Sequence, residues 1–219
     1  MFIGHYSVSF VARAAAPSIP LWVFVAATQL LDIVWCVLII LGLERVEADP
    51  AVTEGLRFVF YPYSHSLAAG VFWGLVAGAL AKLLMRANLR EAALVAGAVL
   101  SHWFFDLLVH RRDLPFLPGN EVKAGFGLWD AAAIELGLEI VLFVLGGALV
   151  VELARRAGHR LWPWLAFLSF GVAFMLAMRA AEPAPVINPV VVGTMGLAAY
   201  LTFVFLAWFA QRLAARRQQ

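Results

Sequence analysis

Long stretches without a charged side chain constrain the fold of this chain most strongly. Residues 187 to 209 include no Asp, Glu, Lys or Arg, and neither do residues 161 to 178. About 20 apolar residues in a helix, at about 1.5 Å rise per residue, span the hydrocarbon core of a bilayer. The sequence therefore predicts a polytopic integral membrane protein.

The composition agrees with a membrane environment. Hydrophobic residues make up 63% of the chain and charged residues 14%, whereas a soluble domain carries about 25% charged residues. The formal net charge of +2 is modest and indicates no nucleic-acid partner. Cys36 is the only cysteine, which excludes a disulfide framework and a cysteine-rich zinc motif. We expect the lipid bilayer to be the main partner of this surface.

The apolar pattern predicts an all-α transmembrane helical bundle of about seven segments, including a short N-terminal one. The expected segments are 2–16, 20–43, 64–85, 89–110, 128–153, 161–181 and 187–213. Connections 44–63 and 111–126 are polar and contain prolines. Glycines at 70, 74 and 78 form a stripe that lets another helix approach closely. We interpret 1–219 as one integral membrane domain, with 128–219 supplying the C-terminal helices.

The distribution of basic residues predicts an orientation. Ten of the sixteen Lys and Arg residues fall on the face that also holds the C-terminus. Because the face richer in Lys and Arg is normally cytoplasmic, we expect a cytoplasmic C-terminus. Both proline-containing connections then face outwards. We expect the chain to be a multi-pass protein located in a bacterial-type inner (cytoplasmic) membrane.

Ionisable side chains within the apolar stretches need a separate explanation. Asp32 lies in LLDIVWCVLII, where insertion of an Asp at a helix centre costs about 2.5–3.5 kcal/mol. It is either a polar contact between helices, a protonated acid, or part of a site. In SHWFFDLLVH, His102 and Asp106 are four residues apart and therefore share a helix face. Imidazole and carboxylate together are ligands suited to zinc and other divalent ions.

His110 extends that face by one turn, but lies about 12 Å from His102 on a straight helix. It is a candidate ligand for a second ion, it contacts the substrate, or it has no role in the site. Depth along the segments lets the remaining groups line one cavity on the outer side, namely His5, Asp32, His65, His102 and Asp106. Arg111 and Arg112 follow at once and are candidates for binding an anionic part of a substrate. Glu135 and Glu139, also four apart, either support the ligands or pack helices.

The order of these motifs resembles a known family. Gly4-His5, Asp32 in an apolar stretch, Ser64-His65-Ser66 and Ser101-His102 through Asp106 follow one another within residues 1–120. This order resembles the membrane-bound metal-dependent hydrolase family (YdjM type) and is more distantly similar to zinc-dependent phospholipase C. The resemblance implies a divalent ion, with zinc expected, bound by these His and Asp residues. The chain departs from the family pattern after Asp32 and at Tyr61-Pro62-Tyr63.

Three functions remain open from the sequence. The first is a metal-dependent membrane hydrolase of a lipid or other amphiphilic ester or phosphoester, with Asp32 and Asp106 as catalytic carboxylates. The second is a transporter whose His and Asp residues carry protons or metal ions. The third is a non-catalytic membrane protein that binds a metal.

Overall fold

The computed structural model describes residues 1–49, 55–119, 122–181 and 186–215. Parts of the expected connections at 50–54 and 120–121, and the end of the expected domain at 216–219, lie outside the described residues. The helices are α1 Tyr6–Ala15, α2 Leu21–Thr28, α3 Leu30–Ile40, α4 Pro62–His65, α5 Leu67–Met85, α6 Leu89–Val109, α7 Ala132–Arg156, α8 Trp162–Ala180 and α9 Pro189–Ala214. Short 3₁₀ turns precede α1 and α7, at Ile3–His5 and Leu128–Ala131. Two small antiparallel hairpins pair β1 Arg45–Ala48 with β2 Leu56–Phe60, and β3 Leu114–Pro115 with β4 Lys123–Ala124.

The expected all-α helical bundle is confirmed. Five helices of the described chain, α5 to α9, are long and apolar enough to cross a bilayer. The consecutive helices α2 and α3 give a sixth span if the two are counted together. The chain is therefore built as a multi-pass membrane protein.

The expected single helix 20–43 is wrong, because the chain bends by 53° between α2 and α3. The side chains at the break take part in tertiary hydrogen bonds. Gln29 Nε2 donates to the carbonyl oxygen of Phe2 at 2.8 Å, and the Thr28 hydroxyl is 2.8 Å from the Ser9 hydroxyl. A break within a membrane is tolerated where other protein groups satisfy the freed backbone atoms, and the Thr28 carbonyl oxygen lies 2.7 Å from His102 Nδ1. These partners are remote in sequence, so the uniform apolar pattern did not reveal the break.

The connection 44–63 also holds more structure than its polarity predicted. It forms the β1–β2 hairpin, in which Val46 faces Phe58, and it continues into the separate short helix α4. Val46 is buried, whereas the flanking Arg45 and Glu47 are exposed. Four- and five-residue strands are too short for a clear alternating pattern, so the sequence indicated only a loop.

Helix α1 lies inside the bundle and does not cross it. Its ten residues extend only about 15 Å, which is half of a hydrocarbon core. It packs against α2, α6 and α7. Its preceding 3₁₀ turn ends at His5, which is fully buried. The short N-terminal segment therefore brings one histidine into the centre of the protein.

The glycine stripe of α5 packs directly on α6, as its spacing predicted. A Cβ atom added at Gly74 would lie 2.9 Å from the Ala96 carbonyl oxygen, and one added at Gly78 would lie 2.9 Å from the Ala92 carbonyl oxygen. Such distances leave no room for a methyl group. The glycines hold the two backbones close together, and α6 is the helix that carries His102 and Asp106.

We expect Gly74→Ala to lower the stability of the protein by about 1–3 kcal/mol through overpacking between α5 and α6. Gly97→Ala is the matched control, since nothing lies within 4 Å of a Cβ at that exposed position of α6. Both changes gain the same helix propensity, so their difference isolates the packing. Thermal unfolding in detergent measures it, and equal melting temperatures for the two variants would contradict close packing at Gly74.

Candidate metal centre

Four of the five histidines meet two aspartates inside the bundle. We call the group the His–Asp cluster, and its members are His5, Asp32, His65, His102, Asp106 and His110. All six are buried, and Asp32 is the most accessible with 9% of its surface exposed. The fifth histidine, His159, lies exposed between α7 and α8. The cluster therefore brings together residues from the 3₁₀ turn, α3, α4 and the C-terminal part of α6.

Asp106 lies at the centre of the cluster. Its Oδ2 atom is 3.1 Å from His102 Nε2 and 3.6 Å from His65 Nε2. The His110 Nε2 atom lies 3.8 Å from the same oxygen. On the other side, Oδ1 is 3.3 Å from His5 Nε2. One carboxylate thus contacts four imidazoles that come from three separate stretches of the chain.

Asp32 adds a second carboxylate to the same space. Its Oδ1 atom lies 3.2 Å from His65 Nε2 and 3.6 Å from His102 Nε2. Four ligand atoms, from His65, His102, Asp32 and Asp106, are therefore separated by 3.1 to 3.6 Å along the four nitrogen-to-oxygen edges. Ligands arranged tetrahedrally about zinc at about 2.0–2.1 Å lie about 3.3–3.4 Å from one another. These four nitrogen-to-oxygen distances are in the range found between neighbouring ligands of a metal ion, and Asp32, His65 and His102 form a set whose ligand atoms all lie within 4.8 Å of one another.

The helix break orients His102. Its Nδ1 atom lies 2.7 Å from the Thr28 carbonyl oxygen at the end of α2. A carbonyl oxygen only accepts, so Nδ1 must carry the hydrogen. In the neutral ring, Nε2 then presents its lone pair to the carboxylates. Metal-binding histidines commonly donate their other N–H in this way.

His65 is held by a side chain that is itself hydrogen-bonded. The Ser64 hydroxyl lies 2.7 Å from His65 Nδ1 and donates to Glu44 Oε2 at 2.6 Å. Glu44 is buried, at 2% exposure, in the connection after α3. Burial raises the pKa of the Glu44 carboxyl above its usual value, and the hydrogen bonds from Ser64 act in the opposite direction. His65 therefore has an outer partner on Nδ1 while Nε2 faces the cluster.

His110 forms the outer wall of the cluster. It caps the C-terminus of α6, where its Nδ1 atom is 3.0 Å from Asp113 Oδ1 and 3.5 Å from the Tyr61 hydroxyl. Tyr61 and Asp113 also line a cavity of about 240 Å³ beneath the two hairpins. The side chains of the cluster are buried, with at most 9% of the surface of any of them exposed. That His5, Asp32, His65, His102 and Asp106 line one cavity open to the outer side stays a prediction.

His5 depends on α7. Glu139 accepts hydrogen bonds from the backbone N–H of Phe2, at 2.8 Å, and of Gly4, at 2.9 Å. These bonds fix the 3₁₀ turn so that the His5 ring stacks on His102, with centroids 3.9 Å apart and planes 7° from parallel. The amino group of Met1 lies 3.2 Å from Asp106 Oδ1. Glu139 thus supports a candidate ligand, while Glu135 pairs with Arg179 of α8.

In the cluster, imidazole nitrogens face the carboxylate oxygens of Asp32 and Asp106. Nε2 of His102 and both ring nitrogens of His5 are buried without a hydrogen-bond partner among the described residues. A lone pair on an imidazole nitrogen beside a carboxylate oxygen is unfavourable unless a proton or a metal cation lies between the two atoms, and His65 Nε2 and Asp32 Oδ1, at 3.2 Å, are close enough to share either. Two sets of ligand atoms are close enough to hold a metal ion, namely His5, His102 and Asp106, and Asp32, His65 and His102. The donor chemistry and the spacing both fit a divalent cation.

All six candidate metal ligands from the sequence thus lie in one cluster. His110, expected too far from His102 to share an ion, lies 3.8 Å from the same Asp106 oxygen that His102 contacts. The two arginines lie outside the cluster. Arg111 donates to Asp130 Oδ1 at 2.8 Å, and Arg112 is exposed on the loop after α6. Their contact with a substrate stays a prediction.

Apart from Glu139, which the sequence had offered as a support for the ligands, the supporting residues were missed by sequence reasoning. Glu44 ends an apolar run and was interpreted only as the start of a loop. Thr28 contributes a backbone carbonyl, which no side-chain pattern marks. Asp113 follows His110 by three residues, and that spacing is the one signal available before the structure.

Comparisons with known proteins give no relative from which a role can be transferred. No family model, no curated protein and no solved structure matches the chain. The description of the site therefore rests on the chemistry and positions of its own side chains: a buried group of histidines and aspartates, able to hold a metal ion, in a multi-pass helical membrane protein.

Proposed function

We propose that the chain is a metal-dependent integral membrane hydrolase, with zinc as the expected ion and a lipid or other amphiphilic ester or phosphoester as the substrate. The observation that carries this proposal is that the imidazole nitrogens of His65 and His102 lie 3.1 to 3.6 Å from oxygens of two carboxylates, so that one carboxylate can hold an ion with them while the other stays available as a base. His5 and His110 contact the same central carboxylate and are the next candidate ligands.

The side chains divide into two roles. His65, His102 and Asp106 are the most enclosed members of the four-atom arrangement and hold the ion. Asp32 is the most accessible and therefore faces the position that water reaches. A divalent ion bound here would lower the pKa of its water ligand from about 15.7 to about 7 and polarise the scissile group.

Asp32 then acts as the general base. Its carboxylate takes a proton from the attacking water while the water oxygen bonds to the acyl carbon or phosphorus. The ester bond to the leaving oxygen breaks, and Asp32 returns the proton to that oxygen, so that an alcohol and an acid are released. Asp106 contributes negative charge to the ion and holds the histidines in place.

The surroundings of the cluster favour an amphiphilic substrate. The cluster lies among helices that can span a bilayer, and the loop after α6 exposes large apolar side chains. Leu117 is 52% exposed and Phe126 is 76% exposed. Such side chains insert into the interfacial layer, where lipid esters are found. Arg111 and Arg112 begin this loop and are proposed to attract an anionic headgroup.

The topology and the family resemblance support the same function. We propose a bacterial-type inner membrane with the C-terminus in the cytoplasm, which puts the cluster towards the outer face. The ordered motifs that resemble the membrane-bound metal-dependent hydrolases supply five of the six cluster residues. Directly after Asp32 the family pattern has two further candidate metal ligands that this chain lacks. With fewer ligands available, we propose a single ion rather than several.

The test is metal analysis of the detergent-purified protein together with hydrolysis of a panel of carboxylic and phosphoric lipid esters. We expect about one zinc ion per chain and hydrolysis of at least one ester class, which chelation abolishes and zinc restores. Asp32→Asn should keep most of the zinc and lower kcat by about 10²–10⁴-fold, the usual contribution of general acid–base catalysis. His159→Ala is the control for histidine loss and should behave as the wild type.

Other outcomes identify the alternatives. Zinc that is bound tightly without any hydrolysis, and that Asp32→Asn removes, indicates a closed structural site. Zinc or proton flux into liposomes, without hydrolysis and lost in Asp32→Asn, indicates a transporter. Absence of zinc and of every other divalent ion from active or well-folded protein overturns the proposal.

A further inference from the structure

Glu44 occupies a position that the proposed reaction does not use. Its Oε1 atom accepts the backbone N–H groups of Tyr63, at 2.7 Å, and of Ser64, at 2.9 Å. Its Oε2 atom accepts the Ser64 hydroxyl at 2.6 Å. Burial of a carboxylate is costly, and the three hydrogen bonds from this one short helix offset that cost while holding the helix in place. That helix is α4, which ends at His65.

Glu44 also joins two parts of the cluster. Its own N–H donates to the Leu38 carbonyl oxygen, 3.2 Å away, in the last part of α3. Helix α3 carries Asp32, and α4 carries His65, and these two side chains lie 3.2 Å apart. A single residue therefore fixes the segments that supply two neighbouring ligand atoms.

The direction of the hydrogen bonds follows from the acceptor at Glu44. The Ser64 hydroxyl has one hydrogen, and it goes to Glu44 Oε2 at 2.6 Å, because an ionised carboxylate can only accept, whereas His65 Nδ1 at 2.7 Å can donate and the Tyr61 carbonyl oxygen is farther away at 3.4 Å. The Ser64 oxygen can then only accept from His65 Nδ1, which must carry the hydrogen. In the neutral ring, Nε2 of His65 then directs a lone pair towards Asp32 Oδ1, 3.2 Å away, which is favourable only with a cation between the two atoms.

We propose that Glu44 is a positioning residue that acts through the Ser64 hydroxyl to keep the lone pair of His65 Nε2 directed at the metal. The inference rests on the proposed metal site and assigns a function to a residue outside it. Removal of an outer partner of a metal ligand typically weakens metal affinity by about 10–100-fold.

Glu44→Gln tests the direction of the hydrogen bonds with little change in volume. The Gln carbonyl oxygen still accepts from the backbone of Tyr63 and Ser64, but its amide now donates to the Ser64 oxygen. The Ser64 hydrogen must then turn to His65 Nδ1, and the ring hydrogen moves to Nε2, where it blocks metal binding. We expect an about 10–100-fold weaker zinc dissociation constant, and a similar loss in Ser64→Ala, with the folded protein retained.

The two controls change neighbouring residues of the same types. Ser66→Ala removes a hydroxyl that caps α5 through the Ala69 N–H, and Glu47→Gln alters an exposed carboxylate on β1. Both should keep wild-type zinc affinity, although Ser66→Ala lowers the melting temperature. Nitrogen NMR of the histidines in metal-free protein gives a second readout, since His65 should carry its hydrogen on Nδ1 in the wild type and on Nε2 in Glu44→Gln.

The outcomes separate this inference from the proposed function. If wild-type protein binds zinc and both Glu44→Gln and Ser64→Ala bind it equally well, the role of Glu44 is overturned and the metal site stands. If Ser66→Ala weakens zinc binding as much as Ser64→Ala, the effect is one of general stability and the inference also fails. If the wild type binds no divalent ion but the NMR tautomers change as expected, the metal site fails, and Glu44 retains only its control of the ring.

Discussion

Asp106→Asn is expected to abolish stoichiometric zinc binding. The zinc dissociation constant should rise by more than about 100-fold, because loss of an outer partner of a ligand alone raises it by about 10–100-fold. The carboxylate is the one group that contacts four imidazoles, and its Oδ2 atom is 3.1 Å from His102 Nε2. The asparagine keeps the volume but removes the charge and replaces one acceptor with an N–H₂ donor. Equilibrium dialysis of zinc against detergent-purified protein measures the change.

The thermal stability supplies an independent reading of the same variant. Zinc at about 1,000 times its dissociation constant stabilises a protein by about 4 kcal/mol, and this stabilisation should be present in the wild type and absent in Asp106→Asn. Asp130→Asn is the matched control, because Asp130 is exposed and pairs with Arg111 outside the cluster. Equal zinc affinity in Asp106→Asn and the wild type would show that this carboxylate is not a ligand.

Glu139→Ala is expected to destabilise the protein by about 2–6 kcal/mol. Its side chain accepts from the backbone N–H groups of Phe2 and Gly4, and an N–H left buried without a partner costs about 1–3 kcal/mol. The 3₁₀ turn should detach from α7, and the stack of His5 on His102 should be lost with it. Chemical denaturation in mixed micelles measures the free energy of unfolding.

The same helix provides the control. Glu152 lies near the other end of α7, where it pairs with Arg155 and Arg156 at the surface. Exposed ion pairs contribute about 0–1 kcal/mol, so Glu152→Ala should change the stability little. If the two alanine variants are equally stable, the hydrogen bonds of Glu139 do not hold the N-terminal turn.

The prediction of the fold succeeded where one physical effect dominates. Long uncharged runs such as 187–209 cannot be covered with polar surface in water, and in a bilayer they must form helices because every backbone group has to be satisfied within the segment. The glycine stripe of α5 likewise predicted a close helix contact. The prediction of one continuous helix failed between α2 and α3. There the helix is interrupted, and the side chains of Gln29 and Thr28 form hydrogen bonds with residues distant in sequence.

The candidate ligands could be named from sequence because an ionisable group inside an apolar helix is costly. Asp32, His102 and Asp106 were identified in this way, and the i, i+4 spacing of the last two indicated a shared face. The groups that orient them gave no such signal. Glu44 lies at the end of an apolar run, where charged residues are common, and the Thr28 carbonyl belongs to the backbone.

The sequence by itself determined that this chain forms membrane-spanning helices and that a few histidines and aspartates lie within them, because both follow from local hydrophobicity and from the cost of burying charge. Only the tertiary structure decided that His5, Asp32, His65 and Asp106 meet within a few ångströms, since that depends on the bend at Gln29, the short α1 and the support from α7. The distances between ligand atoms, which are short enough for a metal ion, arise from packing between residues up to about 100 positions apart.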